Sequence, residues 1–392
     1  GLVGSEMCIR DRSTMINYIS SLFKDKQKIF LANTNPAVEN LRRKVTAEHA
    51  EFVTITKFLS KDVSNDCDIL CLDECSTISN RDMVRVLQRA QCKLLVLVGD
   101  IYQIESILFG NWFNIAYKVM PKDSVAELTR PHRTTVQGLI EVWNKVREIT
   151  EDRLEFITRN GLSSTLDESI FSRTEEDEIV LCLNYDGIYG INNINKFLQS
   201  NNVNPSINWG VLSYKVGDPV LFNESNRFAP LVYNNLKGKI LQIEEEEDCI
   251  YFTIEVYTVL NELDVIGFDL ELKESVTDET SVIRFKVGRG GDGNDDNDNV
   301  ENVVPFQVAY AISIHKAQGL EYESVKVVIT SEIEEMVSHN IFYTAITRAK
   351  SKLKIYWSPE TEKRILENMK VQFNDKDYQL FKAKYKEALL KS

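Results

Sequence analysis

Short, continuously apolar runs that end in acidic residues constrain this chain more than any other feature. Residues 68–72 and 93–98 are such runs, and residues 28–34 are a third apolar run that ends in Asn-Thr, with helix-like patterns between them. Unbroken rather than alternating apolar character marks strands buried on both faces, as in a parallel sheet covered by helices. Ile69-Leu70-Cys71-Leu72 delivers Asp73 and Glu74 to its exit, and Val96-Leu97-Val98-Gly99 delivers Asp100. Ligands of such sheets bind beyond the carboxyl ends of the strands. A helix from about Pro36 to Glu48 fits between the runs at 28–34 and 68–72, because proline suits a first helical turn.

With 392 residues the chain is long for one core and predicts two or three domains. Its 43% hydrophobic and 27% charged content is ordinary for a globular protein. No apolar stretch approaches bilayer length and no secretory signal is present. Seven scattered cysteines without paired metal spacing read as reduced thiols of a cytoplasmic-type compartment. The net charge of −13 opposes tight non-specific binding to nucleic acid. Much of it, however, sits in Glu244–Asp248 and Asp292–Glu301, and fields fade over about 10 Å at ~0.1 M salt. A basic groove elsewhere remains compatible with it.

A second strand–helix series begins at Glu178–Leu183 and Tyr189–Ser200. From Val211 to Phe285 the pattern turns β-like, with turn signals at Gly217-Asp218-Pro219, Asn234-Asn235 and Gly238. Residues 288–302 are Asp/Asn/Gly-rich; they lack the closing Glu of a calcium loop and read as a flexible acidic loop. Val308–Ser313 and Val325–Ile329 return to buried-strand character, and the tail from Glu360 is an amphipathic helix pattern.

Four motifs occur in order: Leu72-Asp73-Glu74-Cys75, Gly99-Asp100-Ile101-Tyr102-Gln103, Ile314-His315-Lys316-Ala317-Gln318-Gly319-Leu320-Glu321, and Tyr343-Thr344-Ala345-Ile346-Thr347-Arg348-Ala349. Together they resemble the superfamily 1 helicases, most closely the RecD-like branch, from about residue 13 to about residue 357. The resemblance implies an α/β fold of two RecA-like parallel-sheet lobes of the P-loop NTPase type. A small SH3-like β-barrel is expected as an insertion in the second lobe. The segments expected are lobe 1 at 13–127, lobe 2 at 128–210 and 303–357, the insertion at 211–287, the acidic loop at 288–302 and a helical tail at 358–392.

The chemistry of the residues agrees with that resemblance. Paired carboxylates at a strand exit suit magnesium and an in-line water. Asp73 would hold the metal and Glu74 would orient or deprotonate the water, although an aspartate there could also simply cap the next helix. The Gln103 amide can donate and accept, so it can report on γ-phosphate and water. Asp100, Gly319 and Glu321 are further expected nucleotide contacts, Glu321 at the ribose. Arg133, within Leu128-Thr129-Arg130-Pro131-His132-Arg133, and Arg348 resemble the arginines that reach the phosphates. Arg348 is expected near a helix start, presented across a cleft. His315, Lys316 and Gln318 offer donors to a nucleic-acid backbone. Thr34, Asn35, Pro36 and Thr56 resemble first-lobe strand contacts, but short polar residues also cap helices. Trp112, among Phe109 and Phe113, could stack a base or pack in the core. Tyr343 and Thr344 could touch the strand or pack.

Residues 1–12 look like a translated sequencing adaptor and are expected to fit no element of the fold; a genuine divergent N-terminus is the alternative. Ser13 and Thr14 resemble the start of the helix after a phosphate loop, where Ser13 would meet magnesium. Asp11 and Arg12 stand where that loop carries Gly-Lys. Glycines let backbone N–H groups wrap phosphates, and lysine reaches the terminal ones. The chain as written is therefore expected to hydrolyse ATP poorly. The family reading is an ATP- and Mg2+-dependent 5′→3′ helicase or translocase on single-stranded DNA. Alternatives are a non-hydrolysing nucleic-acid-binding module and an RNA helicase of the same superfamily. The chain could also be one subunit of a helicase–nuclease assembly, or work with replication or repair partners.

Overall fold

A computed structural model describes residues 2–4, 9–60, 65–104, 110–127, 134–223, 227–229, 231–289, 302–370 and 375–391. The chain forms two compact units. The first comprises Gly1–Ser163, Ser331–Leu353 and Pro359–Ser392; the second comprises Ser164–Thr330 and Lys354–Ser358. Residues 331–353, grouped by sequence with 303–357, thus fall in the first unit. No helix among the described residues is long and apolar enough to cross a membrane.

The first unit runs β1 (Leu2–Gly4), α1 (Ile9–Leu22), β2 (Lys28–Ala32), α2 (Asn35–Lys44), β3 (Ala50–Thr54), α3 (Ile55–Leu59) and β4 (Asp66–Leu72). It continues with α4 (Asn80–Arg89), β5 (Gln91–Gly99), α5 (Trp112–Val119), β6 (Val125–Glu127), α6 (Gln137–Arg147) and α7 (Arg153–Arg159). Its sheet has the order β3-β2-β4-β5-β1-β6, and every pair is parallel. Successive side chains of β2 and β4 enter opposite cores. Leu31, Leu70 and Leu72 pack with Phe58, Met83, Val86 and Phe113 from α3, α4 and α5. Phe30, Ala32, Ile69 and Cys71 pack with Ile16, Val38 and Leu41 from α1 and α2. Burial on both faces is why these strands read as unbroken apolar runs.

One expectation is corrected here. Leu2–Gly4 forms β1, a parallel strand between β5 and β6 with Leu2 paired to both Leu97 and Val125, so the first twelve residues do contribute to the fold. An apolar Leu-Val pair suits a central strand, and ladder bonds satisfy its backbone. The helix that follows begins at Ile9 rather than at Ser13.

The second unit contains β7 (Ser163–Ser164, starting one residue earlier), β8 (Glu178–Cys182), α8 (Ile191–Ser200), β9 (Ser206–Trp209), β10 (Leu212–Lys215), β11 (Pro219–Phe222) and β12 (Lys237–Glu245). Then come β13 (Cys249–Val256), β14 (Glu271–Lys273), β15 (Ser281–Gly288), β16 (Phe306–Val308), β17 (Ala311–Ser313) and β18 (Tyr322–Val328). After α9 (His339–Ile346), strand β19 (Ala349–Tyr356) passes from one unit into the other, and α10 (Pro359–Asn368) and α11 (Asp375–Lys391) end the chain. A five-stranded sheet has the order β17-β8-β18-β19-β7, with β17–β8 and β8–β18 parallel.

The β region of the second unit is antiparallel, ordered β14-β15-β13-β12-β11-β16, with β9–β10 as a separate hairpin. It is wider than 211–287, because Trp209 and Phe306 belong to its core. The single strand expected at 308–313 is two. Val308 ends β16 in the antiparallel sheet, Ala309 N donates to Pro219 O at 2.8 Å, and Ala311 starts β17 in the parallel sheet. The acidic-loop expectation falls mainly on residues 290–301, outside the described residues.

Candidate functional site

Because the first sheet is wholly parallel, all its strand exits lie along one edge. Asp73 follows β4 there and is only 5% exposed. Its N–H donates to Leu31 O at 2.8 Å, and its Oδ1 accepts the Glu74 N–H at 2.8 Å. Glu74 is half-buried and adopts a left-handed backbone, φ 52° and ψ 41°. A non-glycine residue held there stores about 1–3 kcal/mol, which surrounding bonds must offset, and such positions concentrate at functional sites. The bonds are visible: Thr77 N and Oγ1 each donate to Glu74 O at 2.9 Å. Asn33 Nδ2 reaches Thr77 O at 3.0 Å and ties this turn to the exit of β2.

Next along the edge is the loop after β5. Gly99 is required by close approach: a Cβ would lie 2.7 Å from Phe113 Cε1 and 3.2 Å from Cys75 Cβ. Asp100 is 2% exposed, and its Oδ1 accepts the Tyr102 N–H at 2.9 Å. Its carboxylate therefore shapes its own loop. Gln103, half-buried, has its carbonyl bonded by Asn340 Nδ2 at 3.0 Å, and the next amide, Ile104 N–H, donates to Thr344 Oγ1 at 3.2 Å. Asn340 escaped the sequence reading. Its signal was the four-residue spacing to Thr344, which places both on one helix face.

Helix α9 corrects the expected helix start at Arg348. Tyr343-Thr344 belongs to the last turns of a helix started by Ser338, whose Oγ accepts the Ile341 N–H at 3.3 Å, so Arg348 lies past a helix end rather than at a start. Thr344 is 0% exposed with its hydroxyl engaged by Ile104, and Tyr343 is buried against Tyr102 and His339. Both are packed here, one of the two alternatives the sequence left open. Arg348 is 1% exposed; its Nε donates to Thr344 O at 2.9 Å and its Nη2 to Thr347 Oγ1 at 3.4 Å. A cation folded onto C-terminal carbonyls complements the helix dipole.

Other expected residues are placed as follows. Thr34 and Asn35 are exposed beyond β2; Thr34 Oγ1 caps α2 through the Ala37 N–H at 3.4 Å. Thr54 rather than Thr56 caps α3, and Thr56 is exposed on its first turn. Trp112 is half-buried, edge-on to Phe113 at 5.6 Å, and its Nε1 donates to Ile78 O at 2.9 Å. Thr14 is exposed on α1, while the side chains of Ser13 and Pro36 lie outside what is described. Arg130 and Arg133 also lie outside the described residues.

In the second unit, Ser313 ends β17 and its Oγ accepts the Lys316 N–H at 3.2 Å. The chain turns through exposed His315 and half-buried Gln318 to Gly319, whose φ of 81° favours glycine. Lys316 Nζ donates to Gln307 Oε1 at 2.9 Å. Glu321 is half-buried, and its carbonyl accepts from Lys237 Nζ at 3.1 Å. Lys237 also pairs with Asp177 at 2.6 Å and lies 4.1 Å from the Tyr322 ring centroid.

The family described as UvrD-like helicase C-terminal domain matches residues 308–356, and the AAA domain family matches residues 12–167. Curated relatives include the RecBCD enzyme subunit RecD of Mycolicibacterium smegmatis, 22% identical over 78% of this chain and 52% of that protein. The RecD subunit of Buchnera aphidicola is 22% identical over 92% of this chain and 54% of its own length. An uncharacterised protein of Methanocaldococcus jannaschii is 24% identical over 75% of this chain and 29% of its own. The chain thus spans about half the length of the RecD subunits it matches. Among solved structures, the Pif1 helicase of Bacteroides bound to single-stranded DNA superposes with a TM-score of 0.53 at 16% identity, covering 99% of this chain and 93% of that one. Pif1 of Candida albicans gives 0.53 at 16% identity, over 98% and 95%. The chain is thus similar to UvrD-like and RecD helicases in sequence and to Pif1 helicases in fold.

The residues present fit magnesium-ATP in part. The buried Asp73 carboxylate sits at the sheet edge where such ligands bind. The phosphate-loop pattern is not matched in sequence: Asp11 and Arg12, which lie within α1, stand ahead of Ser13 where that pattern carries Gly-Lys. Arginine does not replace lysine in so close a cradle.

Proposed function

We propose that this chain is the motor portion of an ATP-dependent helicase that moves 5′→3′ on single-stranded DNA. The observation that carries the reading is the strand exit at β4, where buried Asp73 precedes left-handed Glu74 on the common edge of an all-parallel sheet. Asp73 would hold magnesium, Glu74 would orient the attacking water, and Gln103 would read its position. Arg133 and Arg348 would neutralise phosphate charge, Arg348 after release from Thr344. Asp100, Gly319 and Glu321 would complete the nucleotide contacts, and Thr34, Asn35, Pro36, Thr56, Trp112, His315, Lys316 and Gln318 would meet the strand. RecD names and Pif1 structures with single-stranded DNA support DNA over RNA. The RecD names also support partner subunits. Burial pushes the Cys71 and Cys182 thiols far up, in keeping with inert thiols of a cytoplasmic-type compartment.

As written, the chain would turn over ATP weakly, since Asp11-Arg12 replaces Gly-Lys. That substitution favours the second reading, a module that binds nucleic acid without hydrolysis. The test is Glu6→Gly, Asp11→Gly and Arg12→Lys together, which restores the glycine loop. ATPase activity that appears and rises with single-stranded DNA supports the motor. A restored chain that binds ATP yet shows no stimulated turnover rejects it.

A further inference from the structure

One helix holds the Gln103–Ile104 peptide from both sides. Asn340 Nδ2 donates to its carbonyl at 3.0 Å, and its N–H donates to Thr344 Oγ1 at 3.2 Å. A peptide unit is planar, so bonds on its opposite edges fix its rotation about the chain. Ile104 is buried, so losing that acceptor would be costly.

The helix is itself held at both ends by α6. His339 Nε2 lies 2.9 Å from Val146 O, and Trp143 Nε1 donates to Ile346 O at 3.1 Å. The Tyr102 ring packs edge-on to His339 and Tyr343, at 6.1 and 6.2 Å. Thr344 also faces the other way, for its carbonyl accepts from Arg348 Nε at 2.9 Å. A single buried residue therefore joins the peptide that carries Gln103 to Arg348.

We infer that Asn340 and Thr344 are positioning residues, a clamp on the Gln103–Ile104 peptide that couples the placement of Gln103 to that of Arg348. The functional weight of the clamp rests on the nucleotide reading above, but its existence does not.

Two readouts separate the clamp from that reading. The first is residue-resolved hydrogen exchange at the Ile104 amide in the chain as it stands. Thr344→Val keeps the side-chain shape and removes the acceptor, so exchange should quicken about tenfold. Thr344→Ser, which keeps the hydroxyl, should return it to within about twofold. Unchanged exchange in Thr344→Val overturns the clamp. The second readout uses the loop-restored chain. There Asn340→Ala should lower kcat about tenfold, with the KM for ATP held within about twofold, as expected of lost orientation. A change in KM alone contradicts a positioning role. If the restored chain hydrolyses nothing, the motor reading fails, and the exchange result still decides whether the clamp exists.

Discussion

The parallel sheet of the first unit and the antiparallel sheet of the second solve the same burial problem in opposite ways. Strand β2 is buried at every position, whereas β13 alternates buried and half-buried along its length. Two-sided burial forces polar groups out of the strands and gathers them at the exits, where Asp73, Glu74, Asp100 and Gln103 stand. The antiparallel sheet instead fills one face with aromatic rings, among them Tyr214, Phe252, Phe285 and Phe306, and spreads its charges over the other. Lys239, Arg284 and Arg289, for example, pair with Glu176, Glu244 and Glu245. One architecture concentrates chemistry on an edge; the other builds a core with ion pairs around it.

The contrast breaks most visibly at Phe252. It is fully buried, with Tyr214 at 5.2 Å and Phe306 at 5.0 Å between ring centroids. Phe252→Ala should cost about 3–5 kcal/mol, measured as loss of exchange protection across β12, β13 and β15. Protection in β2, β4 and β5 should hold. Equal loss in both sheets would show that the two cores are not separate.

A smaller effect sharpens the picture of α9. Burial holds the His339 imidazole below its ordinary pKa, against partial opposition from its bond to Val146 O, from Asn340 and from Asp100, with Arg153 acting to lower it further. The unfolded state then binds the proton more readily than the folded one. Stability is full above about pH 6.5 and falls as acid carries the solution down toward the folded pKa. The melting temperature should drop over that window, and His339→Gln should flatten the drop. An unaltered slope in the variant would place the acid sensitivity elsewhere.

Much of this arrangement was legible in the residues. The strands at 66–72 and 91–99 contain the apolar runs read at 68–72 and 93–98, and both are fully buried toward their exits, where the acids stand. What the sequence hid was context. The 308–313 run reads as one strand because apolar content is continuous, yet backbone bonds divide it between two sheets at Ala309-Tyr310. Arg348 looks exposed because arginine usually is, but the carbonyl end of α9 draws it inward. Leu2–Gly4 resembles foreign sequence, and still its backbone completes a ladder. The spacing of Asn340 to Thr344 sets both on one helix face, but the peptide they bond lies more than 230 residues away in the chain.

The most direct test of the carboxyl-edge site is Glu74→Gln in the loop-restored chain, with ATP binding and single-turnover hydrolysis measured side by side. The strand-exit account predicts unchanged ATP affinity and hydrolysis slowed by about 10²–10⁴-fold, the usual contribution of a positioned base. Hydrolysis that continues at the parent rate would contradict it.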